Sequence, residues 1–369
     1  MTKPRWDVFC RVVDNYGDAG VCWRLARQLD AEHDIDVTLW IDRIDTLAHI
    51  EPAVDASLAL QTVKDVAIAR LADDAPAAEP LPAVIVEAFA CGLPSPVQNA
   101  MATSVTPPLW IALEYLSAEP WIETVHGLAS PQPRLPLERF FWFPGFTPGT
   151  GGLLREAGLL DARRRFDAAR ARRDALQILL FSYANRALPA LFDAWSEGDE
   201  TVSCALPDGV AAGALDQWLR GEVLHAGQST SRGRLRLEVL PFATQEGFDR
   251  LLWSADLCIV RGEDSFVRAQ WAARPFVWQP YPQPERADRL KLDAFLARYT
   301  AETPSRVANA VANFWRAFGD EDGAAAVAAW PEFRASFDAL ASHARRWADT
   351  LAALPDLAAG LVAFSNRRL

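Results

Sequence analysis

The sequence has few cysteines, and their spacing forms no motif. The five cysteines are scattered along the chain: Cys10, Cys22, Cys91, Cys204 and Cys258. Such an odd, scattered set indicates neither a disulfide framework nor a zinc site, and it is typical of a reducing compartment. The five histidines likewise lack pairing or metal-ligand spacing: His33, His49, His126, His225 and His343. We therefore expect no metal site.

The sequence also lacks an excess of positive charge. It has 37 Lys and Arg against 48 Asp and Glu, a formal net charge of −11. Broad nucleic-acid binding and docking on anionic lipid need basic surface, so we expect neither, while a basic partner is compatible. Asp7 and Arg11 are charged residues within the first dozen positions, where a signal peptide would have an apolar region. Prolines interrupt the uncharged stretch 88–113. We therefore predict a cytoplasmic protein without a spanning helix.

The length of 369 residues, of which 50% are hydrophobic, predicts a folded chain of about two domains. Strands are predicted at 6–13, 35–41, 83–89 and 108–116, and then at 175–183, 201–207, 235–242, 256–262 and 275–281. Helices are predicted at 21–29, 187–196, 209–220, 245–254 and 264–273. Apolar strands separated by helices indicate parallel sheets covered on both faces. Two such series predict an α/β protein with two doubly wound domains.

The segment between the two series contains a Pro- and Gly-rich loop at 141–158 and an Arg-rich run at 161–173. We interpret the Arg-rich run as a solvated helix that bridges the domains. From about 285 onward the pattern is helical. The predicted domains are 1–160 and 161–369, with the final helices, about 331–369, packed across their junction.

The loop after the first predicted strand is DNYGDAG, which begins at Asp14. Ligands of open parallel sheets bind at the carboxyl ends of the strands. The loop lacks the G-x-G-x-x-G fingerprint, and its two carboxylates would repel a pyrophosphate. Asp14 and Asp18 are suited instead to hold a cationic group and accept its proton. The structural alternative is that Asp18 caps a helix beginning near Gly20 and Asp14 closes an Asx turn.

A second loop, RGEDSF, follows the fourth strand of the second series and opens a helix. The free N–H groups of a helix start, together with Arg261, are suited to bind phosphate or carboxylate. Glu263 and Asp264 would repel a diphosphate, so we predict that one of them binds sugar hydroxyls and that Asp264 or Ser265 caps the helix. The alternative is a capping box with an Arg–Glu surface pair.

Aromatic and polar residues follow two further strands of the second series. Phe181 and Tyr183 share one face of the first strand, where they could sandwich a base or a sugar ring. Phe242 and Gln245 follow the third strand. The alternative for the aromatic pair is ordinary core packing.

Five segments, in order along the chain, carry a resemblance to one known family. They are VVDNYGDAGVCWRLARQL (12–29), PGFTPGTGGLLRE (144–156), LLFSYAN (179–185), LPFATQEGFDRLLWSAD (240–256) and RGEDSFVRAQWA (261–272). The chain resembles the EarP family, protein-arginine rhamnosyltransferases that modify bacterial elongation factor P. The resemblance implies a GT-B fold, with two Rossmann-like domains facing a central cleft. It also implies inverting transfer of L-rhamnose from dTDP-β-L-rhamnose to an arginine of elongation factor P, with the acceptor bound by the N-terminal domain and the donor by the C-terminal domain.

The resemblance also implies roles for individual residues. Asp14 and Asp18 match catalytic and acceptor-binding aspartates, and Glu263 matches a catalytic glutamate. The donor-binding set is matched by Phe181, Tyr183, Phe242, Gln245, Arg261, Asp264 and Ser265. We interpret Asp18 as the general base, with Asp14 orienting the acceptor guanidinium or Asp18, and expect no cofactor and no obligatory metal. The alternatives are a GT-B enzyme with another acceptor and a non-catalytic nucleotide-sugar-binding protein.

Overall fold

The computed structural model describes residues 3–14, 16–171, 173–221 and 223–369. The chain divides into two compact units. The first unit comprises the chain up to Ala157 together with Leu351–Leu369, and the second comprises Gly158–Thr350.

The first unit is built on a mostly parallel sheet. Its strands are β1 (Arg5–Cys10), β2 (Asp36–Ile41), β3 (Leu60–Val63), β4 (Val66–Arg70), β5 (Val84–Ala88), β6 (Leu109–Leu113), β7 (Ala129–Pro131) and β8 (Glu138–Trp142). Its helices are α1 (Tyr16–His33), α2 (Ile44–Ile50), α3 (Ser95–Thr103) and α4 (Ile122–Val125). The strand order is β3-β4-β2-β1-β5-β6-β8-β7, with antiparallel pairing of β3 to β4 and of β7 to β8 at the edges.

The central strands are buried on both faces. Trp6 and Val8 of β1 pack in one core with residues of α1, while Phe9 points to the opposite face and stacks on Trp40 with ring centroids 5.7 Å apart. Apolar residues on both faces favour a parallel sheet, because the connecting helices then cover both sides.

The second unit is built on a sheet of order β11-β12-β10-β9-β13-β14, parallel except for edge strand β11. Its strands are β9 (Leu176–Leu180), β10 (Val202–Pro207), β11 (Ser229–Arg232), β12 (Leu235–Leu240), β13 (Leu257–Arg261) and β14 (Phe276–Gln279). Its helices are α5 (Leu159–Ala169), α6 (Leu188–Glu197), α7 (Ala212–Leu219), α8 (Gln245–Ser254), α9 (Asp264–Ala272), α10 (Ala287–Tyr299), α11 (Ser305–Gly319), α12 (Gly323–Ala335) and α13 (Phe337–Ala352). The last two residues of α13 fall in the first unit, which also contains α14 (Leu357–Asn366). Two parallel-rich sheets flanked by helices confirm the predicted α/β class with two Rossmann-like units.

The two units differ from the predicted domains at the C-terminal end of the chain, where the final helices were expected to pack across the junction. Residues 351–369 belong to the first unit, because Leu361 and Phe364 of α14 are buried in the core that contains Trp142. Arg155 adds hydrogen bonds to the carbonyl oxygens of Ala352 (2.9 Å) and Leu354 (3.2 Å). The division therefore falls inside the predicted final segment 331–369.

In the Arg-rich run at 161–173, Arg164 and Arg165 of α5 are exposed, as expected of a solvated helix, but two other arginines bind carbonyl groups. The described residues of the run lie in the second unit, where Arg163 is buried and donates to the carbonyl oxygen of Trp271 at 3.3 Å. Arg170 donates to the carbonyl oxygen of Ser254 and to Asp256 at 2.9 and 2.7 Å. These arginines satisfy carbonyl groups at helix ends that lack a partner within the helix.

The stretch Phe337–Asn366 is long and apolar enough to be considered as a membrane span from composition alone. The structure divides it into α13 and α14, with Pro355 in the connection. Leu340 of α13 and Leu361 of α14 are both buried within the protein. The stretch is thus two separate helices that each bury apolar residues in the protein, rather than one continuous helix.

A buried carboxyl group lies in the middle of β1. Asp7 is only 3% exposed and accepts a hydrogen bond from Trp40 Nε1 at 3.1 Å. Burial raises the pKa of Asp7 to about 6, and the Trp40 bond offsets part of that effect. The folded carboxyl therefore holds its proton at pH values where the unfolded chain has lost it, so folding stability falls as the pH rises between about 4 and 6.

We expect the Asp7→Asn variant to become increasingly stable relative to the wild type as the pH rises. An amide keeps the acceptor for Trp40 but carries no charge to desolvate, so the difference in unfolding free energy should grow by roughly 2–3 kcal/mol between pH 4 and pH 8. Urea unfolding at pH 4 and pH 8 measures this difference in unfolding free energy. Asp74→Asn, at an exposed position, is the control. A difference independent of pH would contradict the prediction.

Candidate functional site

In the first unit, the loop between β1 and α1 is closed by Asp18. The Oδ2 atom of Asp18 accepts hydrogen bonds from the backbone N–H groups of Val13 and Asp14, each at 2.8 Å. Helix α1 begins at Tyr16, so Asp18 lies in its first turn and is not the N-cap of a helix that starts near Gly20. The carboxylate therefore binds the loop that precedes the helix, which differs from the predicted capping alternative.

The surroundings of Asp18 act on its pKa in opposite directions. The side chain is 3% exposed, and burial raises the pKa. The two backbone N–H groups and a hydrogen bond from the Tyr115 side chain lower it, while the nearby charge of Asp42 raises it. The net effect is a raised pKa, so the ionised Asp18 is a stronger base than an exposed aspartate.

Asp14 lies at the same strand end and is half-buried. Its carbonyl oxygen accepts a hydrogen bond from Gly17 N at 2.6 Å, so this turn is closed by a backbone bond. The carboxylate lies directly over Gly17: a Cβ atom there would come within 2.7 Å of Asp14 Oδ2. Position 17 must therefore be glycine for Asp14 to keep this orientation.

Tyr115 is a site residue that the sequence reasoning missed. It lies just beyond β6, and its ring stacks on Phe89 at a centroid distance of 4.6 Å and an interplanar angle of 18°. This stacking directs the phenol, which hydrogen-bonds Asp18. The available signal was the polar pair Glu114 and Tyr115 in the otherwise apolar segment 108–116, which the sequence pattern predicts wholly as a strand.

In the second unit, Ser265 closes the turn that follows β13. Its hydroxyl accepts from Arg261 N at 3.1 Å and donates to the carbonyl oxygen of Arg261. Gly262 has a positive φ of 59°. Its N–H donates to the carbonyl oxygen of Gln279 at 3.1 Å, and its carbonyl oxygen accepts from Trp278 Nε1 at 2.7 Å. Glu263 occupies the N-cap position of α9. The predicted capping by Asp264 or Ser265 is therefore wrong, since Ser265 binds the turn and Asp264 is already the first helical residue.

The aromatic pair of the second unit holds Arg261. The guanidinium carbon lies 4.5 Å from the ring centroid of Phe181 and 4.8 Å from that of Tyr183. Arg261 Nη1 also donates to the carbonyl oxygen of Ser182 at 3.1 Å. The pair thus positions a cation by cation–π contact, whereas the sequence led us to expect that the two rings would flank a base or sugar.

Gln279, at the end of β14, is a second residue that the sequence reasoning missed. Its carbonyl binds Gly262, as described above, and its side-chain Oε1 accepts a hydrogen bond from Tyr183 N at 3.0 Å. The residue is buried and ties the ends of β9 and β13 together. No recognisable motif surrounds it in the sequence.

Phe242 and Gln245 lie after β12 in the second unit. Phe242 is 46% exposed, whereas Gln245 is buried as the first residue of α8. Thr244 caps this helix with its hydroxyl, which accepts from Gly247 N at 3.2 Å. The structure thus places all sequence-predicted residues of the second unit at the carboxyl ends of β9, β12 and β13, and it places Asp14 and Asp18 at the carboxyl end of β1 in the first unit.

Comparison with known proteins assigns the family. Residues 6–366 match the family model described as elongation factor P rhamnosyltransferase EarP. The chain is 46% identical to a protein-arginine rhamnosyltransferase of Pseudomonas putida over 100% of both chains. It is 44% identical to that of Pseudomonas aeruginosa over 97% of this chain and 98% of the relative.

A solved structure gives the same result. The structure described as the structural basis for EarP-mediated arginine glycosylation of translation elongation factor EF-P matches with a TM-score of 0.66 and 35% identity, covering 100% of both chains. The two Rossmann-like units of this chain agree with the GT-B fold expected from the sequence. The chain belongs to the EarP family and is a glycosyltransferase, a protein-arginine rhamnosyltransferase.

Proposed function

We propose that this enzyme transfers L-rhamnose from dTDP-β-L-rhamnose to an arginine side chain of elongation factor P, with inversion at the sugar carbon and without an obligatory metal. The observation that carries the proposal is Asp18: a buried carboxylate of raised pKa beside Asp14, at the carboxyl end of a central parallel strand. A basic carboxylate paired with a second one suits an acceptor that is a cation and must lose a proton.

The acceptor chemistry explains why two carboxylates are needed. A guanidinium has a pKa above about 12 and is a poor nucleophile while charged. In the proposed reaction Asp14 orients the guanidinium, and Asp18 takes one of its protons as the nitrogen attacks C1 of the sugar. The new bond joins nitrogen to C1, and the bond from C1 to the diphosphate oxygen breaks on the opposite face. The products are an α-rhamnosyl arginine and dTDP.

The donor is proposed to bind the second unit. The N-terminus of α9 and the guanidinium of Arg261 would stabilise the negative charge on the departing dTDP. Phe181 and Tyr183 support this role because they fix Arg261 from two sides. Glu263 would bind the sugar hydroxyls. The remaining members of the proposed donor set are Phe242, Gln245, Asp264 and Ser265.

We expect purified enzyme to add one deoxyhexose to folded elongation factor P when dTDP-β-L-rhamnose is supplied. Intact-mass spectrometry of the acceptor measures the product, and the reaction should persist in EDTA. Release of dTDP only when donor and acceptor are both present would exclude a non-catalytic nucleotide-sugar binder. An unchanged acceptor mass would contradict the proposal, and transfer to a different acceptor would favour another GT-B specificity.

We expect Asp18→Asn to lower kcat about 100-fold or more, because a positioned general base contributes on that order. Donor binding, measured as the Kd for dTDP, should be unchanged, since the proposed donor residues lie in the second unit. Asp14→Asn should chiefly raise KM for elongation factor P. If Asp18→Asn kept near wild-type turnover while binding dTDP, the assignment of the base would be wrong.

We expect Tyr115→Phe to move the acidic limb of the pH profile of kcat/KM to higher pH. The phenol lowers the pKa of Asp18, so its removal raises that pKa and the base is lost at a higher pH as the solution is acidified. Phenylalanine keeps the stack on Phe89. Tyr299→Phe, a buried tyrosine of the second unit, is the control. An acidic limb that stays in place would show that Tyr115 does not act on the base.

A further inference from the structure

A buried ion pair joins helices α8 and α9. Arg268 of α9 donates through Nε to Asp249 Oδ1 at 2.8 Å and through Nη2 to Asp249 Oδ2 at 2.7 Å. The two side chains are 1% and 7% exposed. A forked, two-bond contact of this kind fixes both the distance and the relative orientation of its partners.

The pair has the same position in both helices. Asp249 follows Gln245, the first residue of α8, by four positions, and Arg268 follows Asp264, the first residue of α9, by four positions. Four residues advance a helix by about 6 Å, roughly one turn. The contact therefore lies one turn below both helix N-termini, and these N-termini carry members of the proposed donor set.

The polar contacts at the other ends of these helices reach different partners. The carbonyl oxygens of Trp253 and Ser254, at the end of α8, bind Arg274 and Arg170. In α9, Gln270 Oε1 accepts from Trp347 Nε1 at 2.8 Å. Arg274 follows α9 by two residues, so its bond to Trp253 also joins the C-terminal ends of the two helices. The ion pair makes the direct contact near their N-termini, at the ends that carry the proposed donor residues.

We propose that Arg268 and Asp249 are positioning residues for the donor: they fix the separation between Gln245 at the start of α8 and Asp264 and Ser265 at the start of α9, and thus the spacing of the groups that bind dTDP-rhamnose. The proposal rests on the donor site proposed above. Neither residue touches the donor; each acts through the helix that carries it. Stability alone does not explain such a pair, because buried ion pairs can often be replaced by apolar residues without loss of stability.

The test uses a double variant that removes the charges but keeps the packing. R268M/D249L replaces the pair by apolar side chains, so we expect a thermal midpoint near that of the wild type, since no unpaired charge is left buried. Apolar contacts are not directional, so the helix starts should lose their fixed spacing. We expect the Kd for dTDP and the donor KM to rise about 10-fold or more, a loss typical of displaced binding groups, with the KM for elongation factor P unchanged.

The control is a forked pair elsewhere in the second unit. Arg334 binds Glu200 through two bonds, away from both helix starts, so R334M/E200L should leave the donor KM unchanged. Wild-type donor binding in R268M/D249L would overturn the proposal. If that variant does not fold, R268K is the alternative test, because lysine keeps the charge but cannot form the two-bond contact. An unchanged donor KM in R268K would also overturn the proposal. Failure of the wild-type enzyme to bind dTDP would instead contradict the proposed function.

Discussion

Parallel strand alignment is the constraint on which the rest of this structure depends. Strands β1, β9 and β13, which precede site residues, run parallel to both neighbours, and β12 runs parallel to β10, so in each unit their carboxyl ends meet at one edge of the sheet. The connecting helices cover the two faces, which leaves this edge as the place where polar side chains can gather without interrupting the core. Asp14 in the first unit and Arg261 in the second both lie at such an edge.

A carboxyl group buried in or beside a strand requires nearby hydrogen-bond partners. Asp7 and Asp18 are equally buried, yet Asp7 has the Trp40 indole as hydrogen-bond donor, whereas Asp18 receives two backbone N–H groups and the Tyr115 phenol. Both pKa values are raised by burial, and in each case the donors offset part of the effect. The extra donors let Asp18 ionise in a site where desolvation favours the neutral acid. The two carboxyl groups therefore differ in their hydrogen-bond donors, not in their depth.

The adjacent strands β2, β1, β5 and β6 of the first sheet and five strands of the second could be predicted from the sequence, because apolar runs of strand length alternate with helical spacing. The outer strands were not predicted: β3, β4, β7, β8 and β11. The ends of β2 and β10 agree with the prediction, but those of β1 and β6 do not, since apolar residues continue past the last ladder bond. Val12 and Val13 extend β1 in the sequence, as Tyr115 and Leu116 extend β6. The predicted strand 108–116 therefore includes Tyr115, which is why the sequence pattern does not single it out.

The roles of long-range partners were also beyond the sequence. Arg261 was assigned to an anion and Phe181 to a base, but only the folded chain reveals that they contact each other. Likewise, 161–173 has the composition of a solvated helix, although Arg163 is directed inward at a carbonyl group about a hundred residues further along the chain. The sequence shows which residues are charged. It does not show which carbonyl group or aromatic ring each of them contacts in the folded chain.

The arginines of the second unit show how these long-range contacts serve the site. Arg163 binds a carbonyl in the last turn of α9, and Arg170 and Arg274 bind carbonyls in the last turn of α8. Cations at helix C-termini match the negative end of the helix dipole and satisfy carbonyl groups that lack a partner within the helix. The opposite ends of the same helices keep the N–H groups of their first turns directed toward the carboxyl edge of the sheet. Guanidinium groups thus neutralise the ends of α8 and α9 that carry no site residue, and the positive ends face the edge where an anion is proposed to bind.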